Sequence, residues 1–411
     1  MSPAADSGDL TAELTALTGA LLAGDDAERA RRYPGPASSR QPVHTAYVPA
    51  DRFSAGTPRQ WGEAALRALD EHGPLPGFDE PEHRAVRAKL EREPVEDLRI
   101  DFEDGYGLRP DQVEDAAAVS AAVELAELTG AGAASAPLPF CGLRIKSLEP
   151  AVRRRGLATL AIFLDTLLAR TALPAGFRIT LPKVSSVRQV QAMAECCVVL
   201  EARHGLADGQ LRFEIQIETP QAVLGPDGTA LVAPMISAAA GRCAGLHYGT
   251  YDYSASLGIA AAFQSLAHPA ADHAKAVLQV AAAETGIPVS DGSTNVLPVG
   301  ESAAVRAAWQ LHAGLVRRSL ERGFYQGWDL HPAQLASRYA ATFRFFTDGL
   351  ATAQARLAAY QARLETGIAD EPATARALAD YLARGVACGA IAEQPPTGPQ
   401  PSTGTEPAAG D

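Results

Sequence analysis

Acidic residues close a series of short apolar or β-branched runs in this chain, and their grouping with a few cations is where chemistry is concentrated. One run ends in Asp101-Phe102-Glu103-Asp104-Gly105, another in Glu218-Thr219-Pro220, a third in Gly249-Thr250-Tyr251-Asp252. Asp291-Gly292 and Asp329-Leu330-His331-Pro332 close two more, and Arg144, Lys146 and Lys183 supply the cations. Carboxylate and water oxygens suit a hard cation such as Mg²⁺, which takes one or two protein carboxylates and leaves positions for water and substrate. The scarcity of His at these ends argues against zinc.

The residues differ in what else they could be doing. An acid after a strand is often a helix cap. In EIQIETP, Thr219-Pro220 can start the next helix unaided, so Glu218 is read as a metal ligand. Asp252 lies between two tyrosines after a Gly, and its type leaves a turn-forming Asp and a ligand equally open. Arg144 sits in an apolar run and is costly to bury without an anion; Asp101, Glu103, Asp104 or a substrate carboxylate could supply one. Lys183 is read as an electrostatic partner of the carboxylates rather than a Schiff-base lysine, and His331 as an organiser of the last loop.

Placing these groups at one rim needs a particular scaffold. Eight short runs recur, beginning at His44, Leu98, Phe140, Phe177, Arg212, Ala244, Gly286 and Phe324, each bounded by Gly, Pro or acid. Ala/Leu/Arg-rich segments between them carry helical periodicity, as in Leu157, Leu160, Leu164 and Leu167. Thr57-Pro58 reads as an N-cap with Pro at the first helical position, and Arg153-Arg154-Arg155 as a solvated face. Eight strand–helix units predict an α/β fold, a (β/α)₈ TIM barrel with an N-terminal extension and C-terminal helices. In that fold the active site gathers at the C-terminal strand ends, and seven of the eight runs place an ionisable group there. An open doubly wound sheet would call for an early Gly-rich phosphate turn, whereas the first run ends in Val48-Pro49-Ala50. The expected division is an N-terminal helical and loop extension over 1–40, the barrel over 41–335, C-terminal helices over 336–392 and a disordered Pro/Gly-rich tail over 393–411.

Composition narrows the function class. The 411 residues carry a formal net charge of −12, against a nucleic-acid-binding face. Five cysteines with no CxxC pair argue against a disulfide framework or structural zinc and fit a reducing cytoplasm. No signal peptide and no bilayer-spanning run is recognised.

The ordered motifs YVPADRF, DFEDGYG, GLRIKS, LPKVSS, IETPQAV, YGTYDYSASLG and GFYQGWDLHPAQL, running from about Ala46 to Gln334, resemble the HpcH/HpaI aldolase and citrate lyase β-subunit superfamily, especially its CitE-like branch. The resemblance implies a barrel assembled as a homo-oligomer, a trimer or hexamer. It implies that Glu218 and Asp252 bind Mg²⁺, with Mn²⁺ as the alternative metal. Arg144 would contact the substrate's carbonyl or carboxylate oxygen, with Glu103 and Asp104 as further catalytic groups and Lys183, Gly249 and Thr250 lining the substrate site. The implied reaction is cleavage or formation of a C–C bond through an enolate. The implied partners are a small 2-oxo or hydroxy acid, or its CoA thioester. A malyl-CoA-type thioesterase and a non-catalytic binding or assembly barrel are the alternatives on the same scaffold. Lys146 replaces the usual Asn, the stretch after Gly107 has Arg109 but lacks the lysine linked to CoA, and Gly327-Trp328-Asp329 replaces the usual GK. These departures mark a divergent branch with its own substrate.

Overall fold

A computed structural model of the chain describes residues 7–36, 40–130, 138–362 and 370–392. The tail expected to be disordered, 393–411, lies outside them. Eight strands appear where the sequence places them: β1 (His44–Pro49), β2 (Asp97–Asp101), β3 (Phe140–Arg144), β4 (Phe177–Leu181), β5 (Phe213–Ile217), β6 (Cys243–Tyr248), β7 (Val289–Ser290) and β8 (Gly327–Asp329). They run parallel in the order β7-β6-β5-β4-β3-β2-β1-β8. A bridge between Ser290 and Gln326 joins the two ends. Asp291 N also donates to Gln326 O (2.8 Å), and Trp328 N to Gly292 O (3.0 Å). The architecture is a (β/α)₈ TIM barrel.

Period-two alternation sorts each strand into two faces. Along β5 and the residue after it, Phe213, Ile215 and Ile217 alternate with Glu214, Gln216 and Glu218, and all six are buried. The apolar set faces the helices, where each large side chain contributes about 1.5–3 kcal/mol by burial. The polar set faces the lumen. Arg99 of β2 donates to Thr180 of β4 (3.0 Å) and Glu214 of β5 (2.6 Å), strands two and three places away, and only the lumen allows that reach. Arg99 is also forked onto Asp97 (2.7 and 2.9 Å). The lower barrel is therefore filled by ion pairs where branched apolar layers are usual.

Local signals account for the helices. Helix Arg153–Leu168 buries Leu160, Phe163, Leu164 and Leu167 on one stripe. Helix Val187–His204 opens on a Ser186/Gln189 capping box and closes on Gly205 at φ 65. Thr57 proves to be the first helical residue rather than the cap, and its hydroxyl accepts from Ser54 N (2.9 Å). The Arg153–Arg155 run is only partly a solvated face. Arg154 is exposed, but Arg155 is buried and ion-paired with Asp115, because the helix turns it toward the acids of helix Asp111–Thr129.

Helix Ser7–Arg32 of the extension leaves Leu10, Leu14, Leu17 and Leu21 exposed. The chain divides into compact units at Thr342/Phe343. In the second unit, Tyr381 Oη donates to Phe346 O (2.9 Å), and Arg356 pairs with Asp370. Among the described residues no helix is long and apolar enough to cross a membrane.

Candidate active site

The strand ends surround a cavity of about 410 Å³ that brings Asp101, Asp104, Arg144, Glu218, Gly249, Thr250 and Asp252 to one place. Arg144, the last residue of β3, is buried and forks onto Asp101, the last of β2, through Nε and Nη2 (both 2.7 Å). Asp101 also accepts from the backbone of Glu103 (2.9 Å) and Gly105 (2.8 Å). Of the acids open as partners for Arg144, Asp101 makes the full pairing, and Glu103 stands 3.5 Å from Nη1.

Glu218 follows β5 and is 1% exposed. Lys183 N donates to its Oε1 (2.7 Å) and Gln216 Nε2 to its Oε2 (2.6 Å). Lys183 reaches this position with φ 51, a left-handed conformation costing a non-glycine residue about 1–3 kcal/mol. Its ammonium touches Glu103 (2.9 Å), Asp104 (2.9 Å) and Asp252 (3.1 Å). Asp252 extends from helix Thr250–Ser256, directly after β6, and is partly exposed.

Burial pushes the Glu218 carboxyl up to about 8; Lys183 pulls it down, and Asp252 and Glu103 push it further up. Burial likewise pushes Glu103 up to about 7, against the pull of Arg144. Burial would raise Asp104 too, but a hydrogen bond with Glu103 and the charges of Arg144 and Lys183 hold it below its ordinary value. The two neighbouring carboxyls are thus pushed in opposite directions, Glu103 up and Asp104 down. Burial opposes the charge on Lys183, but Glu218, Glu103 and Asp104 hold its ammonium well above the ordinary range.

Glycine at 249 is a spatial requirement. A Cβ there would lie 2.3 Å from Glu218 Oε2. Gly249→Ala is expected to displace that carboxylate and cost about 1–3 kcal/mol, measured by denaturant unfolding. An unchanged midpoint would show that the strand end yields. Thr250 lines the cavity, but its hydroxyl is committed to Ser293 O (3.2 Å).

Three strand-end groups expected at the rim turn away from it. Asp291 is buried against Lys275 (2.9 Å) and Ser319 (2.6 Å). Asp329 is buried among Arg338 (2.9 Å), His44 (3.2 Å) and His312 (3.3 Å). Lys146 is buried on Glu114 (2.7 Å). Each is a neutralised ion pair outside the lumen. His331 organises the last loop, accepting from Ala333 N (3.2 Å).

Among the cavity residues to which the sequence reading gave no role are Tyr47 and Gln216. Arg144 lies 4.7 Å over the Tyr47 ring, and that ring is 4.8 Å from Trp328. Trp328 Nε1 donates to His247 Nδ1 (3.0 Å), so the proton of a neutral His247 belongs on Nε2, toward Glu214 (3.4 Å). Tyr47 Oη and Gln216 Oε1 are buried without partners, as atoms facing a ligand or water would be. Their signal was the strand parity they share with Thr45 and Glu218.

Among solved structures, Haloferax volcanii malate synthase in its magnesium/glyoxylate complex matches at TM-score 0.52 and 14% identity, covering 87% of this chain and 99% of that one. Its lead(II) complex matches at TM-score 0.50 and 16% identity, covering 73% and 72%. M. tuberculosis CitE with magnesium, acetoacetate and coenzyme A gives TM-score 0.48 at 18% identity, covering 84% and 98%. Likeness at these identities is one of fold. No curated protein sequence matches the chain. The family model described as a domain of unknown function, DUF6986, matches residues 22–401, and the chain belongs to that family.

Proposed function

We propose that the chain is a Mg²⁺-dependent enzyme that forms or breaks a carbon–carbon bond beside the carbonyl of a small 2-oxo acid, through an enolate. The observation that carries this reading is the meeting of Asp101, Glu103, Asp104, Glu218 and Asp252 at one mouth, offset among the described residues by Arg144 and Lys183. An excess of carboxylate oxygen around the buried Glu218 fits a hard divalent cation. Among the described residues no three His, Cys, Asp or Glu side chains form a ready ligand set. Glu218 and Asp252 would therefore hold the ion together with water and substrate oxygens, as Mg²⁺ sites commonly do. The magnesium/glyoxylate complex of the Haloferax enzyme on the same fold supports both the ion and the substrate class.

When bound, Mg²⁺ supplies a Lewis acid for the substrate's oxygens. The chain's own residues do the rest. Arg144, aimed by Asp101, holds a fixed positive charge where negative charge grows on the substrate. Glu103 titrates near neutrality, so its carboxyl can take a proton from the carbon beside the carbonyl and return it. Tyr47 and Trp328 wall the cavity and limit water.

Calorimetric titration of Mg²⁺ into chelator-treated protein tests the metal. Screening the loaded protein against small 2-oxo acids, with and without acyl-CoA and with thiol release followed alongside, tests the reaction. No detectable Mg²⁺ binding would sink the proposal.

The metal should also show itself through pH. Glu218 has a folded pKa raised from 4.5 to about 8. Its contribution to the metal-free fold is full below 4.5 and is lost as pH rises through about 8. A bound cation needs the ionised form. The rise in unfolding midpoint produced by Mg²⁺ is therefore expected to be larger at about pH 8.5 than at about pH 6. An equal rise at both would remove Glu218 from the ligand set.

A further inference from the structure

The opposite end of the barrel concentrates charge of the other sign. Ile179 of β4 pairs with Phe213 of β5, and Thr180 with Glu214. One residue earlier, the same register sets Arg178 beside Arg212, and Ile179 N donates to Arg212 O (3.1 Å). Both arginines have the lumen-facing parity of Thr180 and Glu214, whose side chains meet at 3.0 Å. Like charges directly opposite on neighbouring strands destabilise a sheet.

The carboxylates that share a small cavity with this pair, Glu214 and Asp97, are already committed. Glu214 and Asp97 are both engaged by Arg99. Among the described residues neither Arg178 nor Arg212 has a carboxylate within ion-pair distance. Arg178 donates to Phe177 O (2.7 Å) and Ala175 O (3.4 Å), and Arg212 to Cys243 O (3.0 Å). Arg212 Nε is buried with no partner at all. Burial, and then the charge of Arg212, lowers the pKa of Arg178, and the charges of Glu214 and Asp97 only partly oppose this.

Arg212 also lines a cavity of about 810 Å³, within the range of small-molecule sites. Arg31, near the end of helix Ser7–Arg32, lines it too. Arg32 beside it is tied to Glu28 (2.7 Å), whereas Arg31 has no such pair among the described residues. No carboxylate lines this cavity; Tyr33, Ile236 and Ile287 supply apolar wall. A smaller adjoining cavity shares Arg212 and Gly286 and carries Arg178.

We propose that this end of the barrel binds a phosphorylated small molecule, its phosphate groups held by Arg31, Arg178 and Arg212 and its body by Tyr33, Ile236 and Ile287. Two guanidiniums without an ion pair, Arg178 and Arg212, with the exposed Arg31 at the cavity edge, suit a ligand with at least two negative charges and several acceptor oxygens. Phosphate matches the guanidinium fork in both charge and shape. The site lies at the N-terminal strand ends and is independent of the chemistry assigned to the mouth.

Thermal unfolding and calorimetry of metal-free protein test it, with inorganic pyrophosphate and ATP as probes and NaCl at matched ionic strength as control. Pyrophosphate is expected to raise the wild-type midpoint, and ATP to bind more tightly than pyrophosphate. Arg178→Gln and Arg212→Gln should each weaken binding about tenfold or more, the range of a lost hydrogen bond to a charged group. Glu218→Gln should leave it unchanged. Without any anion, Arg178→Gln should itself raise the midpoint at low salt, by relieving the facing charges, and the gain should shrink as NaCl is added. The proposal is overturned if pyrophosphate fails to shift the wild type, or shifts the arginine variants equally. It is equally overturned if Arg178→Gln lowers the midpoint in the absence of anion. ATP binding no tighter than pyrophosphate would remove the apolar wall from the site.

Discussion

Glu218→Gln and Asp252→Asn are each expected to abolish Mg²⁺-dependent turnover while leaving a folded barrel. Glu218 accepts from Lys183 N on one oxygen and Gln216 Nε2 on the other. A glutamine can satisfy only one of these donors, and the misplaced amide costs about 1–3 kcal/mol. Removing a carboxylate that burial already disfavours offsets part of that cost. The fold therefore survives, but the buried anionic donor is gone. Asp252 is partly exposed, so its amide should be nearly silent for stability. Losing one such electrostatic contact lowers turnover by about 10²–10³ or more. Turnover, calorimetric Mg²⁺ titration and circular dichroism on the same preparations check this. Full turnover in either variant would show that the two carboxylates are not the metal pair.

The second large effect belongs to Asp101. Its carboxylate has about four acceptor sites, and four donors fill them: two from Arg144 and the backbone amides of Glu103 and Gly105. Asp101→Asn turns a donor toward donors and leaves a buried guanidinium unpaired, a change that typically costs about 3–5 kcal/mol. Arg144 also loses its aim, so turnover should fall by about 10²–10³. Arg144→Lys should be nearly as damaging, because a point charge cannot fill the fork that Asp101 presents. Glu103→Gln is the control. At 3.5 Å from Arg144 it is no hydrogen-bond partner, and its loss should alter activity far more than stability. Denaturant unfolding together with turnover separates these cases. An Asp101→Asn protein within about 0.5 kcal/mol of wild type would show that the arginine is held by something else.

The barrel could be read from the sequence because each strand keeps its period. LRID and EIQIE alternate lumen and helix faces without a break, and each is cut off by an acid or by Thr-Pro. The converging groups at Asp101, Arg144 and Glu218 follow from that parity; Lys183 and Asp252 lie past their strand ends and reach the mouth through a left-handed backbone residue and a short helix. Asp291 and Asp329 also end strands, yet they face outward. Their partners Lys275, Ser319, Arg338, His44 and His312 come from distant segments. One step of parity separates a rim acid from a structural one, and near the two-residue β7 there is too little strand to count from. Arg155 was misread for a related reason. A run of three arginines winds around a helix, and one of them must face inward.

The short β7 has a further consequence. The β1–β2 junction holds four paired residues and β2–β3 five, whereas β7 and β8 meet through a single bridge and two flanking amide bonds. Local opening below the global limit begins where cooperative hydrogen bonding is thinnest. Protons on the Asp291 and Trp328 amides thus belong to the clasp that breathes first. Gly292 lies in that clasp, packed so closely on Thr250 that a methyl group would not fit. Each opening would therefore loosen the Asp252 side of the mouth first.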